Sequence, residues 1–335
     1  MLPVKIKGTG IYVPGMPIDN SELKQLARIE FDSDKTERKI GIYKRHIAHL
    51  RGIKETTADF ATKAAFEAIK DAGISAEDIG LVIVGTDTPE FISPATAIVV
   101  QGRLQGGERW SSAFDVNASC ASFAIAFDNA ARILASNNHI KYAVVIGVYN
   151  MPAFIRNNDA FGYSIFADGA GAFVLERDEN SQSAYVSGLQ LADGTQWDFI
   201  GIYVGGSRKP LTHEVLNANE HGLLSLKPLP GDRNVRLWPI VVDKLLGSIN
   251  VGIEEIDHFI FTQINQSVIV KVMSELKQPM EKTTCVMDRY GYTGSGCVPM
   301  AFHHALKDGR VKRGDKIVFV ASGAGLAVGS NMFIY

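Results

Sequence analysis

One cysteine in this 335-residue chain stands in a segment suited to nucleophilic chemistry. Residues 115–123 read DVNASCASF, so small residues flank Cys120 and an almost wholly apolar stretch follows it. Such a stretch predicts a buried helix, which would place the thiol at the inner end of a pocket. A thiol at a helix N-terminus feels the positive end of the helix dipole, so we expect the pKa of Cys120 to lie below its usual ~8.5.

Two interpretations of this cysteine remain open on the local sequence. In the first, Cys120 attacks a carbonyl group, and the N–H groups at the start of the helix hold the resulting oxyanion. In the second, Cys120 is an ordinary buried cysteine, because cysteine is a common core residue. The spacing of neighbouring residues does not choose between them.

Composition excludes several classes of function. The charges nearly cancel, with 34 Lys and Arg against 36 Asp and Glu, so neither nucleic acid nor a membrane surface is expected as a partner. Three scattered cysteines predict no disulfide framework or zinc site and suggest a reducing, cytoplasmic setting. His303 and His304 have no further ligand type at metal-binding spacing, which predicts a solvated or packed pair. We therefore expect no metal and no bound cofactor.

The elements that must position Cys120 follow an α/β pattern. Short apolar runs alternate with helix-like segments throughout the chain. Residues 57–72 predict one helix, with Phe60, Ala64 and Ala68 on one face and Gly73 as its stop. Residues 1–14 read as a strand and a turn rather than a signal peptide, and no apolar run is long enough to span a bilayer. Further strands are predicted at residues 81–84, 142–148, 171–175, 258–261, 317–320 and 328–334.

An internal duplication organises these elements. Three segments of the first half have weak echoes, in the same order, in the second: 77–84 in 254–261, 115–120 in 288–293, and 141–145 in 316–320. The chain therefore reads as two similar halves, residues 1–178 and 183–335. Residues 195–235 have no counterpart in the first half, and this Gly- and Pro-rich insert predicts a lid or pocket wall.

Four motifs resemble the ketoacyl synthase III family, that is, 3-oxoacyl-acyl-carrier-protein (ACP) synthase III. They are DVNASCASF around Cys120, GIYKRHI at residues 41–47, FADGAGA at residues 166–172 and the glycine-rich segment at residues 323–330. The resemblance covers essentially the whole chain. It implies a thiolase-like, duplicated, five-layered α-β-α-β-α fold and, usually, a homodimer. It also implies that Cys120 is the nucleophile that accepts the acyl group.

The chain departs from this family at two catalytic positions. The family activates its cysteine with a His and an Asn from the second half. Thr262, in FTQIN, stands at the His position, and Tyr292, in GYT, stands at the Asn position. A threonine hydroxyl cannot serve as a base near neutral pH, and a tyrosine hydroxyl lies further from the backbone than an asparagine amide. We therefore expect ordinary decarboxylative condensation to be impaired.

The resemblance assigns roles to four more residues. Ala324 replaces a glycine whose backbone N–H, with that of Cys120, forms the oxyanion hole. Alanine keeps this N–H, provided that the backbone there does not need a positive φ. Asn265 and Lys39 fall at substrate-binding positions, Lys39 where a cation contacts the phosphates of the donor. Asp87 lies near the catalytic Glu of the related hydroxymethylglutaryl-CoA synthases and could be an acid/base partner, although an Asp after a strand is more often a turn or cap residue.

The sequence supports two hypotheses of function. In the first, the chain is an acyltransferase that takes an acyl group from acyl-CoA or acyl carrier protein onto Cys120. It then passes this group to an acceptor in fatty-acid, polyketide or secondary-metabolite synthesis. In the second, it is a catalytically impaired partner subunit that supports another ketosynthase in a heterodimer. The intact cysteine segment favours the first hypothesis, and the missing His and Asn favour the second.

Overall fold

The structure, a computed structural model, describes residues 2–335, so the start of the predicted N-terminal strand at Met1 lies outside the described residues. The helices are α1 (Asn20–Ala27), α2 (Ser33–Lys35), α3 (Thr57–Ala72), α4 (Thr96–Gln105), α5 (Ser122–Ser136), α6 (Ala160–Ile165), α7 (His213–Asn217), α8 (Arg233–Ser248), α9 (Gln266–Glu275), α10 (Met287–Tyr290) and α11 (Cys297–Lys307). The strands are β1 (Val4–Tyr12), β2 (Ile18–Asp19), β3 (Lys44–Arg45), β4 (Ile79–Gly85), β5 (Ser112–Val116), β6 (Tyr142–Tyr149), β7 (Gly169–Arg177), β8 (Ala184–Gln196), β9 (Ile200–Ile202), β10 (Leu223–Ser225), β11 (His258–Phe261), β12 (Lys316–Gly323) and β13 (Gly325–Ile334).

Two sheets repeat the same topology. The first has the order β1-β7-β6-β4-β5, and the second, taken in the matching direction, has the order β8-β13-β12-β11. In each sheet the first two pairs are antiparallel and the third is parallel. Beside β11, where β5 lies beside β4 in the first sheet, Thr283 forms a single parallel bridge with Phe259. The duplication predicted from the sequence is therefore present in the order and direction of the strands.

The helices complete five layers. α3 packs on the first sheet through β1, β7 and β6, and α8 packs on the second through β12, β13 and β8. Between the sheets lie α5 and α11, which contact each other and strands of both sheets. The predicted α-β-α-β-α arrangement is confirmed, and the two central helices share the middle layer.

Aromatic packing fixes α5 between the sheets. Phe127 is buried, and its ring centroid lies 5.9 Å from that of Phe173 in β7 and 5.5 Å from that of Phe333 in β13. Phe319 of β12 lies 6.1 Å away. Each buried phenylalanine contributes ~1.5–3 kcal/mol by leaving water, and edge-to-face pairs add ~0.5–1.5 kcal/mol. The helix that follows Cys120 is thus held by both halves of the chain.

The predicted elements are found with small shifts at their ends. The helix at residues 57–72 is confirmed, and it ends at Gly73 in the left-handed conformation (φ 66°). The strand predicted at 81–84 runs from Ile79 to Gly85, because its buried pattern extends to both flanks. The chain passes from the first sheet to the second between Arg177 and Ala184. The division into halves at residues 178 and 183 stays a prediction.

The insert at residues 195–235 contains a small sheet of its own. β9 and β10 pair in antiparallel register, and α7 lies between them in the chain. Ile200, Ile202 and Leu223 of this sheet line the cavity that contains Cys120, described below. No helix in residues 2–335 combines the length and the apolar character needed to cross a membrane.

We expect Gly85→Ala to lower the free energy of unfolding by about 1–3 kcal/mol, the usual cost of overpacking a tight interior. A Cβ atom at Gly85 would lie 2.8 Å from the backbone N of Phe123, at the start of α5. The matched control is Gly102→Ala in the middle of α4, where a Cβ atom meets nothing within 4 Å. This control should stabilise the protein by about 0.4–1 kcal/mol. Urea denaturation measures both, and equal stability of the Gly85 variant and the unmodified protein would contradict the close approach.

Candidate active site

A tight turn between β5 and α5 carries Cys120. Ser119 adopts a left-handed backbone conformation (φ 51°), which is uncommon for a residue other than glycine. The Ser122 hydroxyl closes the turn, because it donates to the Ser119 carbonyl at 2.5 Å and accepts from the Ala118 N–H at 2.9 Å. α5 begins at Ser122, so the sulfur stands just before the first turn of the buried helix.

The sulfur opens onto a cavity of about 250 Å³ between the two halves of the chain. Five of the residues singled out from the sequence meet there: Asp87, Cys120, Thr262, Tyr292 and Ala324. The apolar part of the wall consists of Met151, Phe161, Phe166, Ile200, Ile202, Leu223, Leu229 and Ile264. Cys120 is half-buried rather than sealed in the core. A thioester carbonyl could therefore reach it from the cavity.

The expectation of a lowered pKa for Cys120 is wrong. Burial raises its pKa to about 12, and the nearby Asp87 carboxylate raises it further. Hydrogen bonding from the hydroxyls of Tyr292, Ser119 and Tyr149 opposes this rise without cancelling it. Two N–H groups of the turn, those of Ala121 and Ser122, are also satisfied by carbonyls within the turn. The thiol is therefore protonated at neutral pH and needs a base when it reacts.

Asp87 lies where such a base would stand. The Ser119 hydroxyl donates to Asp87 Oδ2 at 2.7 Å and lies 3.8 Å from Cys120 Sγ. Burial raises the pKa of Asp87, and its Oδ1 atom is buried without a hydrogen-bond partner within residues 2–335. The loop after β4 that carries Asp87 is fixed by Thr88, whose hydroxyl accepts from the Asn150 N–H at 2.9 Å. A carboxylate, a hydroxyl and a thiol thus form a continuous chain.

Tyr292 and Tyr149 supply neutral donors near the sulfur. Tyr149 is the last residue of β6, and Tyr292 is tied to a neighbouring segment through the Ile165 carbonyl at 2.9 Å and the Ala167 N–H at 3.0 Å. Both rings are buried, with centroids 6.2 Å apart. Burial, followed by the neighbouring Cys120 thiol, raises the pKa of each hydroxyl well above its usual value. Both phenols therefore stay protonated near neutral pH and can donate hydrogen bonds.

Thr262 lies at the end of β11 and lines the same cavity. Its hydroxyl oxygen accepts from the Ser322 N–H at 3.0 Å, so it fastens β11 to the end of β12. The hydroxyl proton remains available for donation, whereas the oxygen cannot take up a proton at neutral pH. Thr262 can therefore polarise a carbonyl group, but it cannot replace a histidine as a base.

The turn between β12 and β13 faces Cys120 from the second sheet. A Cβ atom at Gly323 would lie 2.7 Å from the Cys120 backbone N, so the two backbones touch. Ala324 does not have a positive φ, whereas Gly325 next to it does (φ 129°). The condition that the sequence set for Ala324 is met, because glycine stands at the position that needs the unusual conformation.

Two predicted substrate-binding residues do not line the cavity. Asn265 caps α9, where its Oδ1 accepts from the Ser267 N–H at 3.0 Å and from the Ser267 hydroxyl at 2.8 Å. Lys39 is exposed on a π-helical turn, Thr36–Ile40, that packs against α9. Their roles in binding a donor stay predictions.

Sequence reasoning missed Ser119, Tyr149 and Arg233, all of which line the cavity. Tyr149 carried a usable signal, since a polar residue that ends a buried strand faces the edge where active sites of α/β proteins gather. Ser119 carried no signal beyond its small size beside the cysteine. Arg233 carried no local signal, because its approach to Cys120 depends on how the insert folds.

The histidines take structural places. His303 Nδ1 lies 2.8 Å from the Thr9 hydroxyl, and His304 Nε2 lies 2.9 Å from the Tyr290 hydroxyl. His258 is buried against the Thr284 hydroxyl at 2.8 Å. Within residues 2–335 no three metal-binding side chains come together. Both adjacent histidines hydrogen-bond to hydroxyl groups of other segments, so they form a packed pair.

Comparison with known proteins agrees with this architecture. The sequence model for 3-oxoacyl-[acyl-carrier-protein] synthase III matches residues 114–194, and that for its C-terminal part matches residues 246–335. The beta-ketoacyl-[acyl-carrier-protein] synthase III of Xanthomonas campestris pv. campestris is 33% identical over 337 positions, covering 99% of this chain and 98% of that protein. The crystal structure of 3-oxoacyl-[acyl-carrier-protein] synthase III from Aquifex aeolicus VF5 matches with a TM-score of 0.85 and 30% identity, over 99% of this chain and 100% of that one.

The duplicated sheets, the central helices and these relatives define a thiolase-fold condensing enzyme of the acyl-transferring class. The similarity extends over the full length of the relatives rather than over one shared domain. The chain belongs to the 3-oxoacyl-ACP synthase III family.

Replacing Asp87 should make Cys120 more reactive toward a small alkylating reagent at alkaline pH, where hydroxide rather than Asp87 takes up the thiol proton. Asp87→Asn removes a negative charge that raises the pKa of the thiol, so the thiolate fraction below that pKa grows. We expect alkylation by iodoacetamide at about pH 8.5 to be several-fold faster in Asp87→Asn.

The measurement is peptide mass spectrometry of alkylated protein over a series of times and pH values. Cys285 is an internal control, because it is half-buried and lies outside the cavity wall, so its rate should be the same in all variants. Identical Cys120 rates in Asp87→Asn and unmodified protein would show that the carboxylate does not act on the sulfur.

Proposed function

We propose that this chain is an acyltransferase of the 3-oxoacyl-ACP synthase III type that forms an acyl-enzyme on Cys120. The donor is an acyl thioester of coenzyme A or of acyl carrier protein, and no further cofactor is needed. The observation that carries the proposal is a half-buried thiol open to a cavity of about 250 Å³ with a mostly apolar wall. Such a wall suits an acyl chain, and a thiol at its polar end can reach the carbonyl carbon.

The first step moves one proton and one acyl group. The Cys120 proton passes through the Ser119 hydroxyl to the Asp87 carboxylate, while the sulfur attacks the thioester carbon. The backbone N–H groups of Cys120 and Ala324 stabilise the oxyanion. When the intermediate collapses, the donor sulfur leaves and takes a proton from Asp87. The distances of 2.7 Å and 3.8 Å along this chain support such a relay.

The second step transfers the acyl group to an acceptor other than a decarboxylating malonyl thioester. Tyr149, Tyr292 and Thr262 can each donate a hydrogen bond to a carbonyl oxygen, but none of them can accept a proton near neutral pH. Asp87 remains as the group that can deprotonate an attacking hydroxyl, amine or activated carbon. A raised pKa brings Asp87 closer to the operating pH and makes it a better base than an exposed carboxylate.

Donor docking and pairing with a second copy belong to the same proposal. Lys39 is exposed and outside every salt bridge described for residues 2–335, which suits contact with the phosphates of coenzyme A or of a carrier protein. β5 is an edge strand of the first sheet, so its outer side can pair with the same strand of a second subunit. The free edge of β5 supports a homodimer, and another synthase of the same fold could pair along the same edge.

Intact-protein mass spectrometry with a panel of acyl-CoA and acyl-ACP thioesters tests the proposal. We expect one donor to add the mass of its acyl group to the unmodified protein and to Cys285→Ala, but not to Cys120→Ala. The Cys285 variant is the matched control, since it removes a half-buried thiol outside the cavity. No adduct with any donor would contradict the enzyme and favour the partner-subunit alternative. Co-purification with an active ketosynthase would then test that alternative.

A further inference from the structure

An arginine stands on the wall of the cavity that contains Cys120. Arg233 is the first residue of α8 and is half-buried, and the neighbouring Asn234 lines the cavity beside it. Burial lowers the pKa of Arg233, and Cys120 and Tyr292 are the ionisable neighbours that oppose this shift. Arg233 therefore belongs to the polar end of the cavity, where the acyl group would be transferred.

The charge of Arg233 has no counter-ion among the residues that the structure describes. No carboxylate within residues 2–335 forms a salt bridge with it, and its Nη1 donates to the neutral Gln196 Oε1 at 3.1 Å. Cys120 and Tyr292 are both protonated near neutral pH, since burial raises their pKa values far above it. Asp87, the carboxylate of the cavity, is engaged with Ser119. Because Arg233 is half-buried, solvent screens its charge less than at an exposed site, so an anionic ligand in the cavity would be stabilised by pairing with it.

Arg233 is also held in a fixed orientation. Gln196 accepts from it and donates through Nε2 to Asp193 Oδ2 at 2.8 Å, so an amide connects the guanidinium to a carboxylate outside the cavity. One of the five N–H donors of Arg233 is used in this way, and the others remain for a ligand. Asn234 Oδ1 accepts from the Ser322 hydroxyl at 3.3 Å, which leaves the Asn234 NH₂ group as a further donor beside them.

Arg236, one turn further along α8, shows the contrasting arrangement. It is exposed and forms an ion pair with Asp232 at 2.8 Å, as expected of a solvated surface arginine. Arg233 faces the cavity and lacks such a pair. The difference between two arginines on the same helix therefore points to a ligand rather than to general surface charge.

We propose that Arg233 binds a carboxylate that the reacting molecule keeps throughout the reaction. The inference rests on the proposed function, since it names the class of molecule that reacts at Cys120. The carboxylate belongs either to the far end of the acyl group or to the acceptor. A guanidinium suits this task because its planar fork can donate two parallel hydrogen bonds to the two carboxylate oxygens.

Equilibrium binding to Cys120→Ala tests the carboxylate site without any acyl-enzyme. Hexanoate and hexanamide have the same chain and differ in charge, so calorimetry on both isolates the charge. A charge-assisted hydrogen bond predicts roughly tenfold to hundredfold tighter binding of hexanoate. Further substitutions are then made in the Cys120→Ala protein. We expect Arg233→Gln to abolish the preference for hexanoate and Arg233→Lys to retain part of it. The matched control, Arg236→Gln, should leave the preference unchanged.

Three outcomes would overturn the proposal: equal affinity for the two ligands, a preference that survives Arg233→Gln, or no measurable binding of hexanoate. Arg233→Lys keeps the positive charge, so a partial preference there supports the proposal even if Arg233→Gln unfolds. The result is separable from that of the acylation test. A carboxylate preference without an acyl-enzyme would refute only the proposed function, and an acyl-enzyme without the preference would refute only this inference.

Two kinetic arms then locate the carboxylate. In the first, glutaryl and pentanoyl thioesters acylate Cys120 in the Arg233→Gln and Arg236→Gln variants. In the second, the acylated enzyme transfers to an amino acid or to its amide. If the rate falls roughly tenfold or more in one arm, and does so in Arg233→Gln but not in Arg236→Gln, the affected arm identifies the molecule that carries the carboxylate. A slower acylation assigns it to the acyl group, and a slower transfer assigns it to the acceptor. An effect below about twofold in both arms would contradict a role for Arg233 in either step.

Discussion

The position of the Cys120 sulfur depends on backbones that touch. Gly85 of the first sheet and Gly323 of the second approach the turn at residues 118–123, where a Cβ atom would meet backbone atoms at 2.8 Å and 2.6 Å. The turn contains Ser119 in a left-handed conformation and is closed by the Ser122 hydroxyl. Because interiors of this density have no room for independent shifts, the sulfur, the Asp87 loop and the Ala324 turn keep one relative arrangement. The conformational entropy of these groups is lost when the chain folds rather than when a substrate binds. The reacting groups are therefore already aligned when a substrate arrives.

Burial raises the pKa of every acid in this arrangement, but the effect on reactivity differs between the thiol and phenol groups and the carboxylate. It raises the pKa of the Cys120 thiol and of the Tyr149 and Tyr292 hydroxyls, so all three stay protonated at neutral pH. It also raises the pKa of Asp87, which makes this carboxylate a stronger base than one in water. A site of this kind does not store a thiolate. It holds the thiol next to a hydroxyl and a carboxylate that can take the proton when a carbonyl arrives.

Sequence patterns predicted the fold well, because they report local periodicity and repeated order. The helix at residues 57–72, the buried strands and the duplication were all visible in this way, and Cys120, Asp87, Thr262, Tyr292 and Ala324 meet in one cavity. The pKa of Cys120 was predicted with the wrong sign, since desolvation depends on walls that come from distant segments. Arg233 was missed for the same reason. Its approach to the sulfur is a property of how the two halves and the insert pack, which no short motif contains.

The two charged side chains of the cavity also constrain what can react there. Arg233 and Asp87 both line it, yet they form no ion pair with each other, and the Asp87 carboxylate raises the pKa of Cys120. Opposite charges in a partly buried space attract each other with little screening by solvent. Their separation is therefore imposed by the fold, through Ser119 on one side and Gln196 on the other. A molecule that enters between them meets the base Asp87 beside the sulfur and the cation Arg233 on the cavity wall. It can therefore place a thioester or an acidic nucleophile near Asp87 and a carboxylate against Arg233.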